Sequence, residues 1–390
     1  MFYDNLKMNN FKGVIYYADT MNTGIVHDQF NAALLSLLCE VSDRVECRMG
    51  KSAFMSVKSI LPNMNIRNRQ VYVPLGTSKV IFIFRIIVSI FNILLLLYKS
   101  SRCDIIVFNN NNIFALYLLN SLNFIFKRKI FIFCHGEMEF LYDYRKTDRL
   151  YLKLLSSFVK SFFCGSFRIS KNLNFVVLGD SIYNSLKEIL SSDRMDRIYS
   201  LDHPYIFEEK ENAEKKHDNI SIGVFKVVSE EEFKILISVA NDLNLIVNDH
   251  IHLTVIGSVY ANGSVLEEAG VKILNKVNVE RYIFDDIIDK FDFLLLLYSK
   301  DSYVLTASGV VIDAINRRKP IIALKNRYVE YLFNKYVPFG FLVDNVEEII
   351  DVVNSIYDST IDAFKFDFDC LQKKLSPNGL KKEIINILNV

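Results

Sequence analysis

Residues 291–323, FDFLLLLYSKDSYVLTASGVVIDAINRRKPIIA, carry the clearest fold signal in the chain. The apolar run Phe291–Leu297 is followed by a polar loop, and Ser308-Gly309 then opens an apolar pattern of helical length. Lys319-Pro320 closes that pattern and begins a second apolar run. Short, fully apolar strands that alternate with helices are typical of parallel sheets buried on both faces. The stretch therefore predicts a strand–helix–strand unit.

The same alternation extends over the rest of the chain. Further runs of strand length are Gly13–Tyr17, Asp104–Phe108, Lys129–Cys134, Asn174–Leu178, Ile220–Phe225, His252–Ile256, Val271–Leu274, Pro320–Ala323 and Gly340–Val343. Helical patterns lie between or after them. We therefore predict an α/β protein with two Rossmann-like parallel-sheet domains that face a cleft.

A charged stretch at 208–219, EEKENAEKKHDN, separates the two series of strands and helices. A run with almost no apolar content is typical of a solvated linker, and a polar insertion within one domain is the alternative. We predict a first domain at 1–207, a linker at 208–219, a second domain at 220–370 and a C-terminal helix at 371–390 that packs back toward the first domain.

The composition limits the possible functions. With 46 Lys and Arg against 45 Asp and Glu, the net charge of +1 provides no general attraction for nucleic acid, so any anion site must be local. The hydrophobic share of 51% excludes intrinsic disorder. The six cysteines include no C-x-x-C pair and are interpreted as buried thiols, and Met1–Lys12 lacks the pattern of a signal peptide. We expect a cytoplasmic protein.

One apolar run, Val80–Tyr98, is long enough to cross a bilayer. Arg85 interrupts it, and the strand Asp104–Phe108 that follows must rejoin the same sheet. We therefore favour a helix that packs on the sheet, with a face able to touch lipid, over a transmembrane span. The protein would then be peripheral on the inner face of the plasma membrane.

Polar side chains follow the predicted strands of the first domain. Asp19 ends the first strand, and His27 stands at the start of the next helix, where it could be a general base or a plain helix-start residue. Asn109 and Asn110 follow another strand; uncharged amides suit hydroxyl-rich ligands, and a turn with a helix cap is the alternative. His135-Gly136-Glu137 follows the next one, where glycine lets a ligand approach the backbone.

The second domain has its own polar strand ends. Lys226 follows Ile220–Phe225, where its ammonium group could meet a phosphate or simply lie on the surface. The amides of Ser308, Gly309 and Val310 start a helix, which favours an anion such as a diphosphate. Asp313 lies one turn later, where a carboxylate can accept hydrogen bonds from sugar hydroxyls. A helix cap with a first-turn acid is the alternative for this pair.

With these features in order, the sequence resembles bacterial glycosyltransferases of the GT-B type, closest to family 4, over nearly its whole length. The matching segments are the glycine-containing loop after the first strand, Asp104-Ile-Ile-Val-Phe, His135-Gly136, Asn174-Phe-Val-Val-Leu-Gly-Asp-Ser-Ile, Gly223-Val-Phe-Lys226, Thr254-Val-Ile-Gly257, and the Ser308-Gly309 helix with Lys319-Pro320. The family's Glu-x7-Glu pair falls on Leu305 and Asp313, so the first acid is replaced.

The resemblance implies that the first domain binds an acceptor and the second a UDP- or GDP-linked sugar, without a metal ion or other cofactor. It implies donor binding by Lys226, Gly257, Tyr303, Thr306, Ser308, Gly309 and Asp313. Acceptor binding is expected at Gly24, Asn109, Asn110 and Gly136. Catalytic roles are expected among His135, Glu137, His27 and Asp19.

The leading hypothesis is sugar transfer to a saccharide or lipid-linked saccharide in the assembly of a surface polysaccharide such as O-antigen or capsule. One alternative is a nucleotide-sugar epimerase, which has the same two-domain fold but needs no acceptor. Another is a non-catalytic partner protein, suggested by the missing first acid. Detection of transfer, epimer formation or no nucleotide binding would separate the three.

Overall fold

The computed structural model describes residues 8, 11–110, 112–142, 150–210, 219–275, 281–363 and 365–389. The chain forms two compact units. Unit 1 comprises Met1–Ile206, Val304–Ala307 and Lys373–Val390, and unit 2 comprises Phe207–Tyr303 and Ser308–Gln372. Most of the predicted linker, 211–218, lies outside the described residues. The sequence did not indicate that Val304–Ala307, in the middle of the second series, belongs to unit 1.

In the described residues, unit 1 has a six-stranded parallel sheet in the order β2-β1-β3-β4-β5-β6. The strands are β1 (Ile15–Asp19), β2 (Val45–Met49), β3 (Ile105–Phe108), β4 (Lys129–Cys134), β5 (Leu173–Val177) and β6 (Ile198–Ser200). The helices are α1 (Asp28–Val41), α2 (Lys51–Ile60), α3 (Lys79–Lys99), α4 (Leu116–Phe126), α5 (Leu150–Cys164), α6 (Asp180–Lys187) and α7 (Ser192–Met195).

Unit 2 repeats this architecture, with a parallel sheet in the order β12-β11-β10-β7-β8-β9 in its described part. Its strands are β7 (Ile220–Val227), β8 (Ile251–Val259), β9 (Lys272–Asn275), β10 (Phe293–Leu296), β11 (Ile321–Leu324) and β12 (Gly340–Val343). Its helices are α8 (Glu230–Asp242), α9 (Ser264–Glu268), α10 (Arg281–Ile288), α11 (Gly309–Asn316), α12 (Arg327–Lys335) and α13 (Val346–Tyr357). Two helices follow, α14 (Phe368–Leu375) and α15 (Lys381–Leu388), and α15 belongs to unit 1. The return to unit 1 falls within α14, and α15 packs on α1.

These sheets confirm the prediction of an α/β protein with two parallel-sheet units. The central strands are mostly apolar because helices cover both faces, and every residue of β3, β5 and β10 is buried, including Asn174 of β5. Two strands were missed, β2 and β6. Both are edge strands: β2 carries the ion pair Glu46–Arg48 (2.7 Å), and β6 has three residues. Edge strands face less apolar surface, so their sequence pattern is weaker.

The structure tests the predictions for the six cysteines and for the apolar run Val80–Tyr98. Cys47 and Cys134 are buried, but Cys103 and Cys164 are exposed, so the prediction of six buried thiols was wrong. The run Val80–Tyr98 is helical, as α3, and it buries Ser89, Ile93, Leu96 and Leu97. In the described part of the chain, α3 is the one helix long and apolar enough to cross a membrane, by length and composition alone.

Candidate functional site

The strand order of unit 1 reverses between β1 and β3, and polar side chains bond across that point. Asp19 ends β1, and its fully buried carboxylate accepts the side-chain amides of Asn31 (3.1 Å) and Asn109 (2.9 Å). The other carboxylate oxygen accepts the backbone N–H groups of Met21 (3.1 Å) and Asn22 (2.9 Å). Four donors therefore occupy this acid, and the geometry favours a positioning role for Asp19 over that of a base.

Three histidines of unit 1 gather around Phe30 near the end of β4. His135 stacks on His27 with ring centroids 4.5 Å apart, and Phe30 packs edge-on against His135 (4.5 Å) and His203 (5.2 Å). Nε2 of His135 lies 2.7 Å from the carbonyl oxygen of Asn109, and because a carbonyl only accepts, this nitrogen carries the proton. Burial and the two neighbouring histidines lower the pKa of His135 well below its usual value. The lowered pKa favours the neutral imidazole of His135, in which Nδ1 is the nitrogen able to accept a hydrogen bond.

The backbone around this cluster is constrained at two positions. His27 precedes α1 in a left-handed conformation, with φ 57°, which costs on the order of 1–3 kcal/mol for a residue other than glycine. Desolvation by its neighbours lowers the pKa of His27, although the residue is exposed and Asp19 opposes the shift. Glu137 accepts the backbone N–H of His135 at 2.9 Å. Glu137 is therefore a positioning residue for His135.

The segment Val304–Ala307 packs within unit 1. Glu139 is almost fully buried and accepts the backbone N–H of Leu305 at 3.1 Å. The Leu305 side chain is fully buried in the apolar core of unit 1. A side chain at Gly136 would lie 4.0 Å from Oγ1 of Thr306. The position that the family resemblance gives to the first acid is thus a core leucine.

In unit 2 the strand order reverses between β7 and β10, and Lys226 lies near the carboxyl end of β7. The pairing of β7 with β8 shifts register between Phe225 and Val227, so Lys226 is a bulged residue, and its φ of 46° is left-handed. Gly257 of β8 has a φ of 103°, and a side chain there would lie 3.4 Å from Cγ of Lys226. Bulges redirect side chains and are frequent beside active sites. The orientation of the exposed Lys226 side chain is therefore set by a strained backbone.

The helix α11 starts on the other side of this reversal. Ser308 precedes it, with its hydroxyl 3.1 Å from that of Tyr298, whose ring packs on Tyr303 at 4.4 Å. Burial raises the pKa of Tyr298 well above its usual value, which keeps the hydroxyl protonated. Tyr303 is left-handed, with φ 57°. Gly309 is exposed, and apart from its chain neighbours and the backbone of α11, no atom of the described residues lies within 4 Å of the place where its side chain would stand, so the first turn of α11 is accessible to an anion.

Asp313 belongs to a network of ion pairs between α10 and α11. It binds Arg281 at 2.8 Å, and Arg281 also pairs with Asp285 at 3.0 Å and lies over the ring of Phe284, 5.5 Å from its centroid. The almost buried Arg317 binds Asp285 at 2.5 Å. Burial raises the pKa of Asp285, and the two arginines oppose this shift. The negative charge of Asp313 is therefore compensated within unit 2.

Other features of the described residues do not coincide with these sites. A groove of about 690 Å³ in unit 1 is lined by residues of α6, α7 and β6, such as Tyr183, Lys187 and Tyr199, and contains none of the predicted residues. We base the candidate sites on the strand ends, where the polar side chains converge. Within the described ranges, no group of three or more His, Cys, Asp or Glu side chains could hold a metal ion.

Comparison with known proteins identifies the architecture. No family model matches the chain, and no curated protein matches its sequence. Among solved structures, HepE of Anabaena in complex with UDP and glucose has a TM-score of 0.61 at 12% identity, over 97% of this chain and 99% of that one. The lipopolysaccharide outer core galactosyltransferase WaaB has 0.57 at 10%, over 97% and 99%, and TarM has 0.55 at 14%, over 78% and 58%. The chain has the GT-B fold.

The GT-B units bring the predicted residues together in two groups. His27, His135 and Glu137 meet in unit 1, and Lys226 and Gly257 meet in unit 2, where Ser308, Gly309 and Asp313 lie on or beside α11. Thr306 falls with unit 1, and Asn109 has a fully buried side chain. Gly24 has φ 60° and donates its N–H to Ser52, and Asn110 is half-buried. The binding roles of Gly24, Asn109, Asn110 and Thr306 stay predictions, as do the catalytic and binding roles of the other predicted site residues.

Two residues of these GT-B sites were missed from the sequence. His203 follows β6 by a few residues and packs on Phe30, and Arg281 begins α10 and holds Asp313. The one signal for His203 is its position after a strand end. Arg281 stands directly after the residues 276–280, which lie outside the described part of the chain, and no local pattern marks it.

Proposed function

We propose that the protein transfers a sugar from a nucleotide-sugar donor to a saccharide or lipid-linked saccharide acceptor. The observation that carries the proposal is the bulged, left-handed Lys226 at the strand reversal of unit 2, where α11 also presents an accessible first turn. A cation and unpaired N–H groups stabilise the negative charge of a leaving diphosphate. HepE has been crystallised with UDP-glucose, and WaaB is a galactosyltransferase of the same fold, which supports this chemistry.

In this proposal unit 2 holds the donor. Lys226 and the amides at Ser308 and Gly309 bind the diphosphate of a UDP- or GDP-linked sugar. Asp313 accepts hydrogen bonds from ribose or sugar hydroxyls, and Arg281 fixes its carboxylate from 2.8 Å. Neutralisation by a lysine and a helix start replaces a metal ion, so transfer should continue in EDTA. Loss of turnover in EDTA and its recovery with Mg²⁺ would overturn this part of the proposal.

Unit 1 holds the acceptor in the same proposal. His135 is neutral, and Nδ1 can accept a hydrogen bond or a proton from an acceptor hydroxyl. A histidine with a lowered pKa is unprotonated at neutral pH, as a general base must be. Glu137 orients it through the backbone N–H of His135. The pathway proposed is surface-polysaccharide assembly, in which the acceptor is a growing saccharide.

Calorimetry and product analysis with the Lys226→Ala variant test the donor site. Binding of UDP and GDP to the full chain should weaken on the order of 10- to 100-fold, and turnover should fall on the order of 10²- to 10³-fold, because a preorganised charge on the leaving group is removed. The matched control is Lys290→Ala, another exposed lysine of unit 2. Unchanged nucleotide affinity in Lys226→Ala, or an equal loss in both variants, would refute the assignment.

One observation favours a second candidate, the non-catalytic partner protein. The fully buried Leu305 replaces the first acid of the pair that the family resemblance implies. Such a protein would show no turnover, and the absence of nucleotide binding would support it as well. Single-turnover reactions with a panel of UDP- and GDP-sugars, with and without a bacterial lipid extract as acceptor, separate the two. Nucleotide binding without transfer or donor hydrolysis under every condition would support the partner protein.

A further inference from the structure

The charges of the chain are divided unevenly between its units. Unit 1 carries 29 Lys and Arg against 17 Asp and Glu, a net charge of +12, whereas unit 2 carries 17 against 28, a net charge of −11. The bias is greatest from Cys47 to Gly136, where twelve Lys and Arg stand against one acid, Asp104. The carboxylate of Asp104 is buried and accepts the N–H groups of Val14 and Ser101. The stretch of sequence that contains α3 therefore has many cations and no exposed acid.

An apolar stripe runs along the exposed face of α3. Its members are Val80, Phe84, Ile87, Phe91, Leu95 and Tyr98, whose exposed fractions lie between 45% and 77%. Side chains that recur every three or four residues lie on one face of a helix. Continuous exposed apolar surface of this kind marks an interaction site in a soluble protein.

The opposite face of α3 is anchored to unit 1. Ser89 is fully buried, and its hydroxyl lies 2.7 Å from Oγ1 of Thr20 and accepts the amide of Asn112 at 2.9 Å. Arg85 donates to the carbonyl oxygens of Pro74 (3.0 Å) and Gly76 (2.8 Å). Crossing a bilayer would break all of these bonds. The helix can therefore meet lipid only from the side, with its axis along the surface.

The stripe has an apolar neighbour and a basic edge. The ring of Tyr151 in α5 packs edge-on against that of Phe82 in α3, with the ring centroids 5.7 Å apart. Leu154, one turn along α5, is 48% exposed. Lys79 and Lys99 stand at the two ends of α3, and both are exposed. We call the α3 stripe with these flanking residues the lipid face. Apolar side chains bordered by cations are the pattern of helices that lie in a membrane interface.

We propose that the lipid face binds the surface of an anionic bilayer, with α3 lying in the plane of the interface. Charge complementarity selects this occupant: juxtamembrane cations favour anionic lipid by about 1 kcal/mol each. A second copy docked face to face would instead bring together two units of +12 charge. This proposal goes beyond sugar transfer, and it rests on the surface of unit 1 alone.

The absence of tryptophan from the sequence allows a clean test. In the full-length Phe91→Trp variant, the single introduced indole should shift its emission to the blue with vesicles of phosphatidylcholine and 30% phosphatidylglycerol, and brominated lipid should quench it. The matched control is Tyr260→Trp, because Tyr260 is a similarly exposed aromatic residue of unit 2, at 55% against 61% for Phe91. Its emission should not change. No shift in Phe91→Trp, or equal shifts in both variants, would overturn the proposal.

Vesicle co-sedimentation measures the two contributions separately. Phe84→Ser combined with Phe91→Ser should weaken binding at least 10-fold, and Ile246→Ser combined with Val247→Ser, in exposed positions of unit 2, should leave it unchanged. Lys79→Gln combined with Lys99→Gln should weaken binding by on the order of 10-fold at low salt, and vesicles of phosphatidylcholine alone should bind poorly. Equal binding of the wild type and the double serine variant would refute the lipid face.

Two further outcomes name the competing occupants. Sedimentation equilibrium without lipid would reveal a dimer that the serine variant abolishes; such a dimer without vesicle binding would make this face an interface between copies. Protein that stays on vesicles in 1 M salt and alkaline carbonate would indicate a span, and it would also contradict the proposal. None of these measurements uses a nucleotide or a sugar, so failure of the lipid face and failure of the donor site are distinguishable.

Discussion

The two strand reversals of this chain follow the same topological rule and are filled in opposite ways. In unit 1, between β1 and β3, the amides of Asn31 and Asn109 close on the fully buried Asp19. In unit 2, between β7 and β10, the bulged Lys226 is exposed, and so is Gly309 at the start of α11. Ligands of open α/β sheets bind at such reversals. The contrast shows that the strand order alone does not make a ligand site. The side chains at the reversal determine whether a ligand can reach it.

The closed reversal of unit 1 has a consequence for the next strand. The side chain of Asn109 binds Asp19, and its carbonyl oxygen accepts a hydrogen bond from Nε2 of His135 at 2.7 Å. This bond sets the tautomer of the histidine that follows β4. The buried network in unit 1 therefore supports a functional side chain one strand away, whereas unit 2 places its cation directly at the reversal.

The largest predicted effect is on the closed reversal. Asp19→Ala leaves two buried side-chain amides and two partly buried backbone N–H groups without this acceptor, and we expect a loss on the order of 4 kcal/mol in the free energy of unfolding, measured by urea denaturation with circular dichroism. The matched control is Asp196→Ala, at an exposed acid of the same unit, which should change it by less than about 0.5 kcal/mol. A cost below about 1 kcal/mol for Asp19→Ala would show that the network does not hold β1 and β3 together.

The next effect concerns the ion network of unit 2. Arg317 has a side chain that is 5% exposed and binds Asp285, Asp289 and Glu208, so Arg317→Ala removes one of the two arginines that pair with the largely buried Asp285. We expect a loss of about 3 kcal/mol, seen as a lower urea midpoint. The control is Lys234→Ala, which removes an exposed i,i+4 pair on α8. That change should cost no more than about 0.5 kcal/mol, and an equal cost in both variants would contradict the assigned role of burial.

Acidification should destabilise the protein through His135 of unit 1. Burial lowers the pKa of His135 well below its usual value near 6.5, so the unfolded chain takes up a proton at a pH where the folded chain does not. The contribution of His135 to the free energy of unfolding is fully present above the pKa that His135 has in the unfolded chain. It is lost as the pH falls through 6.5 toward the lower pKa that His135 has in the folded chain. We expect the urea midpoint to fall between pH 7.5 and 5.5, and to fall less in His135→Gln. An identical pH profile in both proteins would exclude a buried neutral His135.

Most of the fold could be predicted because the signal is local. The strands Lys129–Cys134 and Gly340–Val343 have the predicted bounds, since each is a short run that polar residues terminate. The edge strands β2 and β6 were missed because they need little apolar surface on their outer side. The excursion of Val304–Ala307 into unit 1 depends on a long-range bond between Glu139 and Leu305, which no local pattern shows.

The candidate sites were predictable to the same extent. Lys226 was predicted to follow a strand that ends at Phe225, and the structure places it within β7, near the carboxyl end of that strand. Ser308 directly precedes α11, as predicted, and the binding roles of both residues stay predictions. The contacts that define their neighbours are tertiary: Arg281 meets Asp313 across two helices, and His203 meets Phe30 from a segment far along the chain. The left-handed backbone of Lys226 also follows from a register shift in the sheet, which sequence spacing does not reveal.

The smallest predicted effect tests how the open reversal is built. Gly257→Ala places a side chain at φ 103° and 3.4 Å from Cγ of Lys226, which should cost about 1–2 kcal/mol and weaken UDP or GDP binding several-fold because the lysine must shift. The matched change is Gly309→Ala, at a helical position with nothing within 4 Å, which should leave stability unchanged or raise it by about 0.5 kcal/mol. If a diphosphate approaches the first turn of α11, Gly309→Ala will weaken nucleotide binding without loss of stability. Full nucleotide affinity in both variants would mean that the open reversal of unit 2 binds no donor, and the contrast with unit 1 would then be one of packing alone.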